Sequence, residues 1–468
     1  MPLLAKLFGT RSPSEVPQYP IYLYPGHAVA LRVALDAVAA SHDPAQLCEW
    51  TNHHSGYVRE TAIARSVELG KPECLPCLAG RLNDWVPQVR RAAADGLLTL
   101  LATIPAEHFI PLLPRLRGLT EAKRTDHAAW LFRFEQQLIR AGGRAGILDA
   151  IHSPDLRLRR AAYFVCHAQR ILETAALAES GLRSGDIVLA RHATTLIETL
   201  PASRQPDLVH LAYASSFGPV RLHALRIATQ HAEAPYMDAW LHKALFDAQA
   251  SMRHVAARIL ADKGIDVGQL CTQALASGNL GSHQVRAALS VMVEIGASES
   301  RTMLSRYMDD PRVDIRVRTL TLQARLDPAS RDALSHRALQ DASPKIRALG
   351  ALLCARFGAY VPLDQVRELL TQYGDYRTAL RICRREKWDH LACLGWVAEL
   401  CSLNEALLVE LRQVLGVWLS QEGMSWTRPS SLHIDILSTP DTAAALCKLA
   451  ADQRNRLAEC LRVSGIWT

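Results

Sequence analysis

The chain has 468 residues, 49% hydrophobic and 6% aromatic, with a formal net charge of +7 and a pI near 8.9. That length is too great for a single compact core, and that charge is too mild to require a nucleic-acid partner. No apolar run approaches the ~20 residues of a membrane helix, and eleven cysteines without framework spacing suit reduced thiols in a cytoplasmic protein.

Arginine supplies 45 of the 53 basic residues, a bias that suits a GC-rich bacterial genome. At the start, Met1 to Phe8 is apolar over too short a stretch for a secretory segment, and Lys6 interrupts it. The following stretch to Gly26 holds four prolines and three tyrosines, which rules out regular helix. Residues 1–27 therefore read as an arm lying on the first helices, or as a tether.

Residues 28–387 carry the dominant signal. Arg59, Arg90, Arg159, Arg191, Arg221, Arg253, Arg286, Arg316, Arg347 and Arg377 recur, spaced 30 to 33 residues apart from Arg159 onward. The gap of 69 between Arg90 and Arg159 leaves room for two units, with Arg124 off register between them. Such a period means stacked supersecondary units that pack only on their neighbours. The stretches from Leu78 to Leu97, Leu304 to Arg316 and Leu334 onward through Arg347 show the unit best. Each predicts an apolar-periodic helix, an Asp/Ser/Pro turn, and a second helix opening on an aliphatic–Arg pair. Asp or Ser caps free N–H groups there, and Pro is tolerated in the first turn. Ala92-Ala93, Ala161-Ala162 and Ala256-Ala257 allow close approach of neighbouring helices.

Six residues before the arginine stands Asp84, Ser153, Ser215, Asp247, Asp310 or Asp341. This pattern, over roughly residues 44–385, resembles the HEAT-repeat family, in particular the short repeats of the phycobilisome-lyase type. The resemblance implies an all-α solenoid of stacked helix pairs. It also implies an Asp/Arg ladder between units, which here would comprise Asp84, Arg90, Arg159, Arg191, Arg221, Asp247, Arg253, Asp310, Arg316, Asp341 and Arg347. Arg59, with His53 at the acid position, and Arg286, with Leu280 there, are expected to lack the ion pair. The resemblance is almost silent on activity.

Within the repeats several groups invite chemistry. Cys74 and Cys77, with His53 and His54 upstream, have donors for zinc, but i, i+3 cysteines more simply share a buried helix face. Asp126, His127 and Trp130 cluster in the most divergent unit without matching the motifs of HEAT-type glycosylases. His192, His223 and His254, with Arg226 and Arg258, are candidates for an inner surface. Arg377, Arg381, Arg384 and Arg385 fall on overlapping faces of a predicted helix and are the candidate partner-binding residues.

After residue 388 the period fades. Five of the nine tryptophans (Trp388, Trp396, Trp418, Trp426 and Trp467) fall in this stretch. Helices are expected near 404–420 and 440–461, with an extended piece at Leu432–Leu437. Residues 388–468 thus read as a cap closing the stack.

No P-loop, dinucleotide fingerprint, G-x-S-x-G or H-E-x-x-H motif is present. The expectation is a non-enzymatic scaffold that binds a protein partner, with no catalytic residue, cofactor or metal. The alternatives are a nucleic-acid binder or HEAT-type DNA glycosylase, and a lyase or maturation factor.

Overall fold

The computed structural model describes residues 20–24, 26–230, 236–400, 404–421 and 427–467. Residues 1–19 of the expected arm and Trp426 lie outside the described residues. The chain divides into two compact units, Met1–Met237 and Asp238–Thr468. Both are built from helices, and the one sheet among the described residues is a two-stranded hairpin in the first unit.

That hairpin, β1 (Pro20–Tyr24) against β2 (His27–Ala30), is antiparallel. Its alternation drives the packing: Ile21 and Leu23 are buried while Tyr22 and Tyr24 are exposed. The buried pair joins Leu31, Val38, Leu47, Trp50 and Val58 in one core cluster. His53 Nε2 meets the Tyr22 carbonyl oxygen at 3.0 Å, and Tyr24 packs edge-on against Trp50. The described part of the arm therefore lies on α1 (Leu31–Ala40), α2 (Pro44–Trp50) and α3 (Gly56–Leu69).

The first unit continues with α4 (Leu75–Arg81), α5 (Pro87–Leu100) and a short α6 (Leu113–Arg117). Next come α7 (Ala128–Leu138), α8 (Arg144–Ala150) and α9 (Leu156–Ala168). It ends with α10 (Thr174–Arg183), α11 (Ile187–Glu198), α12 (Pro206–Tyr213) and α13 (Gly218–Thr229). Helices pair in sequence, as α10 with α11 and α12 with α13, and second helices stack on second helices, as α3 on α5 and α11 on α13. Ala92, Ala93, Ala161 and Ala162 are all buried at these seams.

The second unit repeats the scheme. Its helices are α14 (Met237–Leu245), α15 (Ala250–Asp262), α16 (Val267–Ala276), α17 (Ser282–Glu294), α18 (Ser300–Tyr307) and α19 (Val313–Leu326). Then follow α20 (Arg331–Leu339), α21 (Pro344–Phe357), α22 (Leu363–Tyr373) and α23 (Tyr376–Cys383). Pairs α16–α17, α18–α19 and α20–α21 are hairpins, while α17, α19, α21 and α23 stack in series. The fold is an all-α solenoid of helix pairs. The local chemistry matches the placement: Pro87 and Pro344 sit in first turns, and Asp155, Asp186, Asp266 and Asp375 cap helix N-termini with their side chains.

Beyond Lys387 lie α24 (Lys387–Leu400), α25 (Glu405–Gln421), α26 (Ser431–Ser438), α27 (Pro440–Ala450) and α28 (Arg454–Val463). The extended piece expected at Leu432–Leu437 is instead helix α26. Ser430 caps it by accepting from the His433 N–H, and His433 returns the contact to the Ser430 N–H through Nδ1, so local capping outweighs the β-branched pattern. Tryptophan indoles tie these helices together. Trp388 donates to the Thr427 carbonyl at 2.9 Å, Trp418 to Lys387 at 2.8 Å and Trp467 to Leu437 at 3.0 Å. Such rings bury large apolar area while satisfying their one donor.

At the α24–α27 seam, a Cβ added to Gly395 would lie 2.5 Å from Thr442 Cγ2 and 3.3 Å from Leu446 Cγ. Gly395→Ala is expected to destabilise the chain by about 1–3 kcal/mol through overpacking, read as a lower denaturant midpoint. Parental stability of that variant would mean the seam opens freely and is not the close contact described.

Candidate functional site

Arg59, Arg316 and Arg347 do two things at once. Their Nη1 donates to main-chain carbonyls five and six residues earlier, closing the turn of their own unit. Arg316 meets the Asp310 and Pro311 carbonyls at 2.9 and 3.2 Å, and Arg347 meets those of Asp341 and Ala342 at 3.0 and 2.9 Å. Arg221 meets the Ser215 carbonyl at 2.8 Å, and Arg90 the Asp84 carbonyl at 2.7 Å. The carboxylate partner lies in the following unit. Arg59 reaches Asp84 at 2.8 Å, Arg316 reaches Asp341 at 2.9 Å, and Arg347 reaches Asp375 at 2.8 Å.

The acid in turn fixes its own turn by accepting a main-chain N–H two residues on. Asp84 takes that of Val86, Asp247 that of Gln249, Asp310 that of Arg312 and Asp341 that of Ser343. Burial alone would push the Asp341 carboxyl up, but Arg316 and the Ser343 N–H hold it below its ordinary value.

This geometry corrects one expectation. Arg59 does make an ion pair, because its partner is the next unit's Asp84 and not the residue six positions before it. A register shift appears further along the first unit: Asp186 is gripped by Arg160, at 2.7 and 3.1 Å, and not by Arg159, while Arg191 is exposed. Arg286, with Leu280 six residues before it, donates from Nε to the Ser282 carbonyl at 3.3 Å.

The other sequence candidates are scattered. Cys77 forms a disulfide with Cys48, with Cα atoms 5.4 Å apart, which corrects the free-thiol reading at this pair. Equivalent first helices of successive units bring the two together 29 residues apart, a distance no local spacing rule would flag. Cys74 is buried and free. Asp126 accepts the Ala128 N–H at the start of α7, and Trp130 donates to the Ala94 carbonyl at 3.2 Å and stacks on Phe134. His127 is buried, and burial followed by the Arg90 charge pushes its imidazole below the ordinary value. His192 packs edge-on with Tyr163, Phe164 and His167, whereas His223 joins Thr194 and Glu198, each at 2.8 Å. His254, Arg226 and Arg258 are exposed.

Arg377, Arg381, Arg384 and Arg385 are all exposed. Only the first two lie on a helix, since α23 ends at Cys383 and Arg384 and Arg385 occupy the following turn. The expected single helical face is thereby corrected. Arg385 Nη1 donates to the Cys354 carbonyl at 3.1 Å, tying the turn to α21. No carboxylate pairs with Arg377, Arg381 or Arg384 among the described residues. Around the end of α21, Phe357 is 44% and Tyr360 67% exposed. The Arg331 and Arg356 guanidinium carbons lie 4.2 and 5.4 Å from the Phe357 ring centroid. Exposed aromatics dressed with arginine are the composition of binding hot spots. The aromatics carry no sequence signal because Phe357 closes α21 and Tyr360 lies in the connection after it, both outside the repeat register.

One group among the described residues brings metal-binding donors together: Glu386, Asp389 and His433, within 4.8 Å of one another. Its hydrogen bonds are already made. Glu386 accepts the N–H groups of Trp388 and Asp389, and His433 Nε2 meets Asp389 at 2.7 Å. The group works as a clasp between α26 and the start of α24.

No family model matches the chain, and no curated protein matches it. Among solved structures it is similar to the karyopherin Kap121p bound to the extreme C-terminus of the protein phosphatase Cdc14p. That likeness has 14% identity over 89% of this chain and 46% of the other, with a TM-score of 0.20. It is similar also to Kap95p in a structure with RanGDP (12% identity, 90% and 64% coverage, TM-score 0.24). A third is Uso1-2 (13% identity, 87% and 74% coverage, TM-score 0.17). The chain spans about half the length of Kap121p. Likeness this slight identifies no partner.

Proposed function

We propose that the protein is a non-enzymatic scaffold that holds a protein partner at the face formed by the end of α21, α23 and the turn after it. The observation that carries this reading is the exposed Phe357 and Tyr360 beside Arg331, Arg356 and Arg385, with Arg377, Arg381 and Arg384 unpaired on neighbouring elements. Such a surface suits a partner segment that mixes acidic and apolar side chains. The interrupted repeat period at this seam supports it, because a place where stacking changes character offers edges that regular repeats cover.

The test reverses Arg377, Arg381 and Arg384 to Glu together and leaves Arg385, whose carbonyl bond is structural. The unfolding midpoint should stay near that of the parent, since exposed charges contribute about 0–1 kcal/mol each. Recovery of the specific partner from native lysate should be abolished, and Tyr360→Ala should weaken it at least tenfold. Unchanged recovery by both variants would remove this face from the function. Nanomolar, salt-resistant binding of duplex DNA would favour the nucleic-acid alternative instead.

A further inference from the structure

The ladder fails at two consecutive joints in the second unit, and the failures meet in one cavity. Six residues before Arg286 stands Leu280, where other turns carry Asp84, Asp310 or Asp341. Arg253, which on the ladder pattern would reach that acid, has Glu294 instead at a long 3.6 Å. At the next joint the acid is present but occupied: both Asp310 oxygens bind the Arg312 guanidinium at 2.9 Å. Arg286 is thus left with the Ser282 carbonyl. Arg318, from α19, points its Nε at Ser290 Oγ, 2.8 Å away.

Arg253, Arg286 and Arg318 line a cavity of about 440 Å³ together with His283 and Ser290. Arg253 is only 5% exposed, and its Nε has no hydrogen-bond partner. Burial first, then the charge of Arg253, hold the Arg318 guanidinium below its ordinary value, with Glu294 opposing. Asp314 feels Arg286 but is bound by Lys345, and the exposed Arg325 adds further positive charge. Three guanidinium groups against Glu294 leave about two unbalanced positive charges in a half-buried space, a costly arrangement unless an anion enters. A phosphate group brings about −1.5 to −2 charges at neutral pH and three acceptor oxygens. Guanidinium forks converging from successive helices match those oxygens better than they match a single carboxylate.

We propose that this cavity is an oxyanion site that takes a phosphate group, free or on a small monoester, through Arg253, Arg286 and Arg318 with the Ser290 hydroxyl. The site stands whether or not the α21–α23 face binds a protein.

The experiment titrates the full chain with sodium phosphate and, separately, with glycerol 3-phosphate. Sodium acetate and sodium chloride at equal ionic strength are the controls, with calorimetry and thermal unfolding as readouts. Phosphate or the monoester should bind saturably and raise the unfolding temperature, and the tighter of the two identifies the source of the group. Arg318→Gln and Arg286→Gln should each weaken binding at least tenfold. Leu280→Asp returns an acid to the empty ladder position, so it should raise the unfolding temperature without phosphate and remove the response to phosphate. Stabilisation no greater than that by chloride, or equal stabilisation by acetate, would overturn the proposal. So would parental affinity in Arg318→Gln, which carries the decision should Leu280→Asp not fold.

Discussion

Asp84→Ala should be among the most damaging single substitutions in the chain, lowering stability by about 3–5 kcal/mol in equilibrium denaturation. Asp84 is 4% exposed and Arg59 2% exposed. The carboxylate takes Arg59 at 2.8 Å, Arg81 at 3.2 Å and the Val86 N–H at 2.9 Å. Removing it strands a buried guanidinium whose other bonds, to the His53 and His54 carbonyls, keep it from swinging out to water. Asp84→Asn keeps an acceptor of the same shape and removes only the charge, so its loss should be smaller, about 1–3 kcal/mol. Equal losses in the two variants would show that the charge carries the whole effect at this joint and that a neutral acceptor of the same shape contributes nothing. A loss under about 0.5 kcal/mol in Asp84→Ala would place it with ordinary surface substitutions and remove the ladder from the account of stability.

Arg117→Met should cost a similar amount for a different reason. Glu135, with its side chain 1% exposed, has Arg117 Nε at 2.7 Å and accepts from Arg117 Nη2 at 3.0 Å and Gln169 Nε2 at 3.1 Å. Arg117 also donates to the Phe164 carbonyl at 2.8 Å, so the pair joins α6, α7 and α9. Burial pushes the Glu135 carboxyl up and the Arg117 guanidinium down, and each charge partly offsets the shift of the other. Without Arg117 the carboxylate keeps its burial and loses its main compensation, a loss of about 3–5 kcal/mol at neutral pH. The pH profile tests this directly. A carboxyl whose folded value is raised favours the folded state when protonated, and that contribution disappears as pH rises through the folded value. The deficit of Arg117→Met relative to the parent should therefore shrink as pH falls from 7 toward the ordinary carboxylate range near 4. Adding Glu135→Gln should recover most of the loss at neutral pH. A deficit independent of pH and unrelieved by Glu135→Gln would assign the effect to lost packing of the Arg117 stem.

The helix pairs were legible in the sequence because each unit repeats one set of turn requirements. Asp or Ser, Pro and an aliphatic–Arg pair at fixed offsets are needed wherever a second helix starts. The partners of the arginines were less legible. The six-residue offset between Asp84 and Arg90 is real, but it records a bond from guanidinium to main-chain carbonyl, which places no demand on the side chain at that position. The carboxylate is there for the previous unit's arginine, so reading the offset as an ion pair misjudged Arg59. Glu135 with Arg117, and Cys48 with Cys77, were hidden because they occur once each, and a search for periodicity discards what does not recur. The α23 arginines were visible as a basic run, yet the helix end at Cys383 was not. A run of helix-forming residues gives no sign of where neighbouring helices force a turn.

The double duty of the ladder arginines makes folding contagious along the stack. Arg316 cannot complete its own turn and reach Asp341 unless both units are in place, so ordering one unit lowers the cost of ordering its neighbour. Where the same side chain closes one turn and anchors the next, adjacent units melt together. Where the ladder acid is missing, between Arg253 and Arg286, α15 still packs on α17, whose Val285, Ala288 and Leu289 are buried, and the Arg253–Glu294 pair at 3.6 Å is the remaining ionic tie. Nearest-neighbour coupling of this kind sets how far a local opening spreads. The second unit is thus a chain of strongly coupled segments with two adjacent slack links. An anion seated in the cavity beside those links would tighten them and lengthen the stretch that opens and closes as one.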